Sequence, residues 1–347
     1  MRIKNKEIAE KLGISVTAVS LAINNRPGVS EETRQKVIQL INESLSLSPA
    51  PHSTINYSGN NSVGSILLSV HKKHGHVIND KPFFSNLLET CQQEAMKSNY
   101  ALTIAHYIPG QNIDEYIEYI RSLKIDGIVV MATEIDNDDL SHYRSLNIPL
   151  VLLDGSFDLA DVDSVALDNQ TAIFRAFDYG YQLGHRNIGF LKSEVFINNF
   201  GHHFDGFMKG IRTYNLDEYN HPVIELPCSI EGAYNQMKEF LANPPANFQM
   251  PTLFLADLDF IALGAMQAIK EAGYSIPDDI SFIGYDDVSA CEIFDPPLTT
   301  TRVNRMDVGR IATRRLIQKM NRTENYYTTT QVSSELIIRK SVKNINN

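Results

Sequence analysis

The sequence predicts a small all-α head followed by an α/β body of two doubly wound lobes, each on a parallel sheet. Three observations carry this. The first 46 residues are short amphipathic segments punctuated by Ser and Gly. From Val63 onward, short apolar runs alternate with helix-period stretches, as expected of strands covered on both faces. The chain has 347 residues, too many for one core, and the alternation starts afresh after residue 168.

Three short helices are expected in the head. The first spans 6–12, with Ile8, Ala9 and Leu12 on one face and Gly13 as its stop. Ser15 caps a second helix, 16–24, whose inner face is Val19 and Ile23. After the turn cluster Asn24–Gly28, Ser30 caps a third helix with Glu31 and Glu32 in its first turn. A small residue at Ala9, a permissive turn at Gly13 and a branched plug at Val19 suit two helices crossing steeply. That is a helix-turn-helix, which points the start of its second helix into a DNA major groove. The exposed candidates there are Ser15, Val16, Thr17, Ser20 and Leu21.

Charge agrees with this division. Seven Lys/Arg against five Asp/Glu in residues 1–48 give +2, and the chain total of −10 leaves −12 for the rest. A slightly basic head on an acidic body fits local DNA contact with a body that phosphates repel.

Strands are expected at 62–70, 100–107, 127–132, 149–154, 187–191, 222–226, 252–256 and 280–286. The intervening helices are expected at 84–98, 113–123, 169–183, 204–214, 232–241 and 259–272. Ligands of such sheets bind outside the carboxyl ends of the strands, in the cleft between lobes.

The chain contains no phosphate-cradling GxxxxGK[ST], GxGxxG, GxSxG or HExxH motif, which weighs against an enzyme. Three scattered cysteines form neither a disulfide framework nor a zinc cluster and suit a reducing cytoplasm. No cofactor or metal is expected; His202, His203 and Asp205 form too weak a cluster. No apolar run is long enough for a membrane span, and the N-terminal residues lack the apolar core of a signal peptide.

The stretch ISVTAVSLAINNRPGVSEETRQKV resembles the head of the lactose-repressor/galactose-repressor (LacI/GalR) family of bacterial transcription regulators. The resemblance continues through VALDNQTAIFRAFDYGYQLGHRNIGFL, SIPDDISFIGYDDV and DPPLTTTRVNRMDVGRIATRRLI. It implies base contacts from Val16 and Thr17, and phosphate contacts from Ser15, Ser20, Asn24, Ser30 and Thr33, with Asn5 and Val29 in the same DNA-contact set. Leu21 departs from an Arg common in the family. It offers only apolar contact where Arg would pair with guanine.

The resemblance also implies a periplasmic-binding-protein-like body that dimerises and holds a small metabolite, most simply a sugar, in its cleft. The protein would then be a cytoplasmic homodimeric repressor of a catabolic operon, gripping a pseudo-palindromic double-stranded operator. Two alternatives stay open: a body that answers to a partner protein, and a non-catalytic sugar-binding protein.

For the effector, the resemblance points to Asp259 in DLDFIALGA, a position that also suits a helix cap. His203 stands where the family commonly has Arg, Cys228 where an aromatic often stacks, and Phe83 and Phe84 in the first-lobe contact segment. Ser69 and Asp154 belong to the same candidate set, Asp154 either facing the cleft or forming a turn. The expected boundaries are a head at 1–46 and a linker at 47–61. The first lobe takes about 62–166 and 298–322, and the second about 167–296 and 326–340. The family's hinge helix has no clear counterpart in LSLSPAPHSTINYSGNNS, which reads as a plain linker with Ile55 as the one candidate wedge.

Overall fold

The computed structural model describes residues 9, 11–16, 18, 19, 29, 30, 33, 36 and 55–57, and 63–346 except 76, 79, 80, 158, 159, 218–220 and 323. At 55–57 and 81–86 only the backbone is described. Two compact units divide between Ser53 and Thr54.

In the first unit Ala9 and Val19 are buried. Gly13 adopts φ +64°, and the Ile14 N–H donates to Ala9 O at 3.0 Å. This is the left-handed stop that ends a helix. Ser15 Oγ accepts from the Ala18 N–H at 3.1 Å, and Ser30 Oγ from the Thr33 N–H at 3.2 Å. The first turn of each following helix thus has one of its orphan donors satisfied.

The body carries two sheets. The first lobe is built from β1 (Ile55–Tyr57), β2 (Gly64–His71), α1 (Lys81–Lys97), β3 (Tyr100–Tyr107), α2 (Ile113–Ser122), β4 (Gly127–Met131), α3 (Asn137–Arg144), β5 (Leu150–Leu153) and β6 (Asp163–Leu167). The second is built from α4 (Asn169–Gln182), β7 (Ile188–Ser193), α5 (Asn198–Thr213), β8 (Val223–Leu226), α6 (Ile230–Ala242), β9 (Leu253–Ala256), α7 (Asp259–Glu271), β10 (Ser281–Asp286), α8 (Ala290–Ile293) and β11 (Thr299–Arg302). Then α9 (Arg305–Asn321) and β12 (Thr329–Val332) return to the first lobe, and β13 (Glu335–Ile337) ends in the second.

Strand order is β1-β3-β2-β4-β5-β6-β12 in one sheet and β13-β11-β10-β9-β7-β8 in the other. The edge strands β1 and β13 pair antiparallel and every other neighbour pairs parallel.

Parallel strands need cover on both faces, and the core residues supply it. On one face of the first sheet Leu68, Val129 and Leu153 pack under Leu87 and Cys91 of α1 and Ala312 and Leu316 of α9. On the other, Leu67, Val130 and Leu152 meet Ile117 and Ile120 of α2 and Leu140 of α3. The second sheet is covered by α6 and α7 on one side and by α4 and α5 on the other. A Cβ on Gly206 would stand 2.4 Å from Gln170 O, so α5 can approach α4 this closely only with glycine there.

Three expectations need correction. Residues 298–322 do not all return to the first lobe: β11 extends the second sheet alongside β10, and only α9 packs on the first. Residues 326–340 do not all belong to the second lobe, because β12 pairs with β6 in the first. The reason is one buried carboxylate: Asp163 in β6 accepts the Thr328 N–H at 2.9 Å and the Thr328 hydroxyl at 2.8 Å, drawing that segment in. Finally, the linker is not wholly without structure. Ile55–Tyr57 adds to the edge of β3, with Ile55 opposite Ile104 and Tyr57 opposite Leu102. The rest of 47–61 lies outside the described residues.

Gly13→Ala tests the head's cap. A Cβ there meets nothing within 4 Å, so the cost is the backbone's alone, about 1–2 kcal/mol. Amide exchange in the head should quicken roughly 5- to 30-fold while the body's melting stays unchanged.

Candidate functional site

The strand ends of both lobes frame a cleft. Its first-lobe wall is Val77, Thr133, Asp154 and Leu167; Asn169, Asn199, Phe200, His203, Leu258, Tyr285 and Asp286 face them, with Arg305 at the start of α9. Thr133 follows β4, Asp154 follows β5 and Leu258 follows β9, so the site lies outside the carboxyl ends of both sheets.

Asp154 adopts φ +60°, a turn conformation, and also faces the cleft. Its Oδ2 accepts the Thr133 hydroxyl at 2.7 Å, and its backbone oxygen accepts Asn199 Nδ2 from the opposite lobe at 3.1 Å. Burial pushes its carboxyl up, against the opposing pull of the Arg305 charge and the Thr133 hydrogen bond.

Val77 reaches across to the second lobe's core. Its loop is fixed by Glu134, whose carboxylate accepts four backbone N–H groups, from His74, Gly75, Val77 and Ile78, at 2.8–3.1 Å. Burial alone would raise Glu134; those four donors outweigh it and hold the carboxyl below its ordinary value.

The second-lobe wall is a buried polar chain. His203 Nδ1 lies 3.2 Å from Asp257 Oδ1 and its Nε2 lies 3.3 Å from Asn169 Oδ1. Tyr285 donates its hydroxyl to the same Asn169 oxygen at 2.6 Å. Asp257 Oδ2 accepts the Ser193 N–H at 2.6 Å. Arg305 pairs with Asp286. Among the buried atoms of the cleft, Asp154 Oδ1 and Asn169 Nδ2 have no hydrogen-bond partner in the protein. Orphaned polar atoms in a dry site cost free energy, so a ligand that satisfies both gains what folding left unmet.

Of the expected effector residues, Asp154 and His203 line this cleft. Asp259 does not. It is 1% exposed, with Oδ2 accepting the Val288 N–H at 2.9 Å and Oδ1 the Thr300 hydroxyl at 2.5 Å. It therefore ties α7 to the loop after β10 and to β11. Nor does it cap α7, whose N-cap is Leu258 with no side-chain bond.

Ser69 is corrected too. Strand alternation turns it to the α2–α3 face, where its Oγ bonds Tyr116 Oη at 2.8 Å and Tyr143 Oη at 3.1 Å. Cys228 packs beside Ser193, Sγ to Oγ 3.0 Å, outside the cleft lining. Phe83 and Phe84 fall in the first turn of α1, and their side chains lie outside the described residues.

The expectations missed Asn169, Asp257, Tyr285, Asp286 and Arg305. The DN pair of VALDNQ and the YDD of IGYDD were legible as strand-end polar residues, but only the fold sets them opposite Asp154.

In the head, Val16 is 47% exposed beside the Ser15 cap, and the Ser30 and Thr33 hydroxyls lie 2.8 Å apart. Asn5, Thr17, Ser20, Leu21 and Asn24 lie outside the described residues. Among the described residues there is no group of three or more His, Cys, Asp or Glu placed to hold a metal, and no helix is long and apolar enough to cross a membrane.

A capped helical head ahead of a two-lobed body with a ligand-type cleft defines a class: DNA-binding transcription regulators with a sensor body. Residues 67–340 match the family described as periplasmic binding proteins and the sugar-binding domain of the LacI family. Residues 5–45 match the bacterial regulatory proteins of the lacI family. The chain belongs to the LacI family and is a DNA-binding transcription repressor.

Its relatives include the HTH-type transcriptional repressor PurR of Mannheimia succiniciproducens, 29% identical over 351 residues and 98% of each chain. The PurR repressor of Haemophilus influenzae (strain ATCC 51907 / DSM 11121 / KW20 / Rd) is 27% identical over 354 residues, again 98% of each. Among solved structures, the lac repressor dimer bound to operator and the anti-inducer ONPF superposes with a TM-score of 0.70. That match is at 21% identity over 99% of this chain and 100% of that one. A LacI-family regulator from Enterococcus faecium with bound ribose gives 0.66 at 23% identity, over 81% and 100% respectively.

Asp259→Asn tests the structural role of that carboxylate. Burial, reinforced by the Asp286 charge, pushes it up to about 7. The raised value means its contribution to stability is complete below about pH 4 and is lost as pH rises through about 7. Chemical denaturation across that range should show a pH slope, on the order of 3–4 kcal/mol in the wild type, that is flattened in the variant. Equal slopes would show that Asp259 is not held as a buried acid.

Proposed function

We propose that the effector is a small neutral molecule of sugar size, held in the interlobe cleft, and that its binding controls a homodimeric, cytoplasmic repressor of a catabolic operon. The observation that carries this is the pair of unmatched buried atoms: Asp154 Oδ1, an acceptor, and Asn169 Nδ2, a donor. A hydroxyl can donate to the first and another can accept from the second. Phe200, Leu258 and Leu167 supply apolar surface for a ring face. Charge favours neutrality, because Asp154 and Asp286 line the cleft and the Arg305 guanidinium is engaged by Asp286. The ribose-bound Enterococcus faecium structure and the CelR–cellobiose complex are of the same fold.

The test is a thermal-shift screen of the full chain against monosaccharides, cellobiose, nucleosides, purine bases and sugar phosphates. A ligand at 100 times its Kd adds about 2.7 kcal/mol to folding. A neutral sugar should shift the melting point, and Asp154→Ala should abolish the shift. Hits confined to bases or nucleosides would overturn the sugar assignment, and hits confined to phosphates the charge argument. A silent panel would overturn the metabolite reading and leave a partner protein as the controlling input.

For the head, Val16 and Thr17 are the proposed base contacts, with Ser15, Ser20, Asn24, Ser30 and Thr33 on phosphates. Two heads would grip two half-sites of a pseudo-palindrome. Leu21 offers only apolar contact, so Leu21→Arg should add a guanine preference at one position of each half-site, worth about 1–3 kcal/mol. Selection of operators from random DNA with both proteins checks this. Identical consensus sequences would place Leu21 away from the bases.

A further inference from the structure

We propose that His203 and Asp257 share a hydrogen that locks the Asn169 side chain, turning its NH₂ group into the cleft as the donor that selects the effector. This rests on the reading that the cleft is an effector site and adds the atom-level demand that site makes: an acceptor atom opposite Asn169 Nδ2.

The hydrogen positions follow from distances. An O–H···O bond runs 2.5–3.0 Å and an N–H···O bond 2.7–3.2 Å. The Tyr285–Asn169 contact of 2.6 Å therefore fits the phenol donating to the amide oxygen and is short for an amide nitrogen. Burial holds the Tyr285 phenol well above its ordinary value, so it keeps its hydrogen to donate.

With the amide oxygen placed there, His203 Nε2 faces an acceptor at 3.3 Å, a long contact in which a hydrogen on Nε2 keeps two lone pairs from opposing each other. Nδ1 faces the Asp257 carboxyl at 3.2 Å. The other Asp257 oxygen is committed to the Ser193 N–H, so a second hydrogen lies between Oδ1 and Nδ1. Whether it rests on the ring or the carboxyl, the pair is net neutral. A bare carboxylate beside a ring protonated only at Nδ1 would set two acceptors against each other at Nε2.

The groups bearing on this pair are Asp154 across the cleft from His203, with Lys192 on β7 and Cys228 beside Asp257; Asp286, Arg305, Asp154 and Asp168 bear on Tyr285, the other donor to Asn169. His203, Asp257, Asn169 and Tyr285 are all at most 2% exposed, so the hydrogen bonds among them are made away from bulk solvent. Asn169 Nδ2 is the one end of the chain left without a partner.

The experiment is long-range proton–nitrogen NMR on the full chain with nitrogen-labelled histidine at pH 7.5, His203 being assigned by its loss in His203→Gln. The expected result is a hydrogen on Nε2. A bare Nε2 would overturn the proposal. Should His203→Gln fail to fold, Tyr285→Phe makes the assignment, because the ring lies 4.2 Å from the imidazole and losing its hydroxyl shifts that resonance. Asp257→Asn keeps a donor toward Nδ1 and should keep the Nε2 hydrogen; its loss in that variant would show that the shared hydrogen is not what sets the ring. The readout needs no ligand. A silent metabolite panel with Nε2 protonated would overturn the effector reading alone.

Discussion

The body depends on the buried Asp163 carboxylate. Each lobe is assembled from separated stretches of chain, and two late segments, α9 and β12, must return to the first sheet. Asp163 receives both: Arg315 and Lys319 of α9, and the backbone and hydroxyl of Thr328 just before β12. Those donors outweigh its burial and hold the carboxyl below its ordinary value. A buried charge with one partner removed costs about 3–5 kcal/mol. The arrangement therefore penalises any topology in which α9 or β12 docks elsewhere. The chain passes between lobes three times as a result, and the cleft lies where those passages meet the strand ends.

That geometry explains the uneven polar bookkeeping of the body. Glu134 takes four backbone donors, and Asp259 takes the Val288 N–H and the Thr300 hydroxyl, so each fixes a segment beside the cleft. Within the cleft, Asp154 and Asn169 each keep an atom in reserve. Rigid walls with a few unmet groups are the means by which a pocket selects a ligand by hydrogen-bond pattern rather than by area. The Asn199–Asp154 bond spans the lobes beside those atoms, so whatever fills the cleft acts where the lobes touch. Relative movement of two rigid lobes is a general means of passing a binding event onward.

Much of this was legible beforehand. Gly13, Ser15 and Ser30 announced the head because caps and stops are local chemistry, decided within four residues. The strand YALTIAHY and the helix from Asn169 were bounded closely, since continuous apolar runs and helical periodicity need no long-range information. Where polar composition blurred the period, elements escaped: α3, NDDLSHYR, has only Leu140 and Tyr143 as apolar side chains.

The sequence by itself determined the two-part plan, the alternation of strand and helix, the family, and the presence of aspartates and a histidine at strand ends and helix starts. Only the tertiary structure decided which of them share a site. Asp259 and Asp257 are two residues apart, yet the first is spent on the Val288 and Thr300 segments and the second on His203 in the cleft. Ser69 was an effector candidate in sequence, and the fold commits its hydroxyl to two tyrosines instead. Sequence spacing fixes which face of an element a side chain leaves by. What waits on that face is set by segments a hundred residues away, and that depends on packing alone.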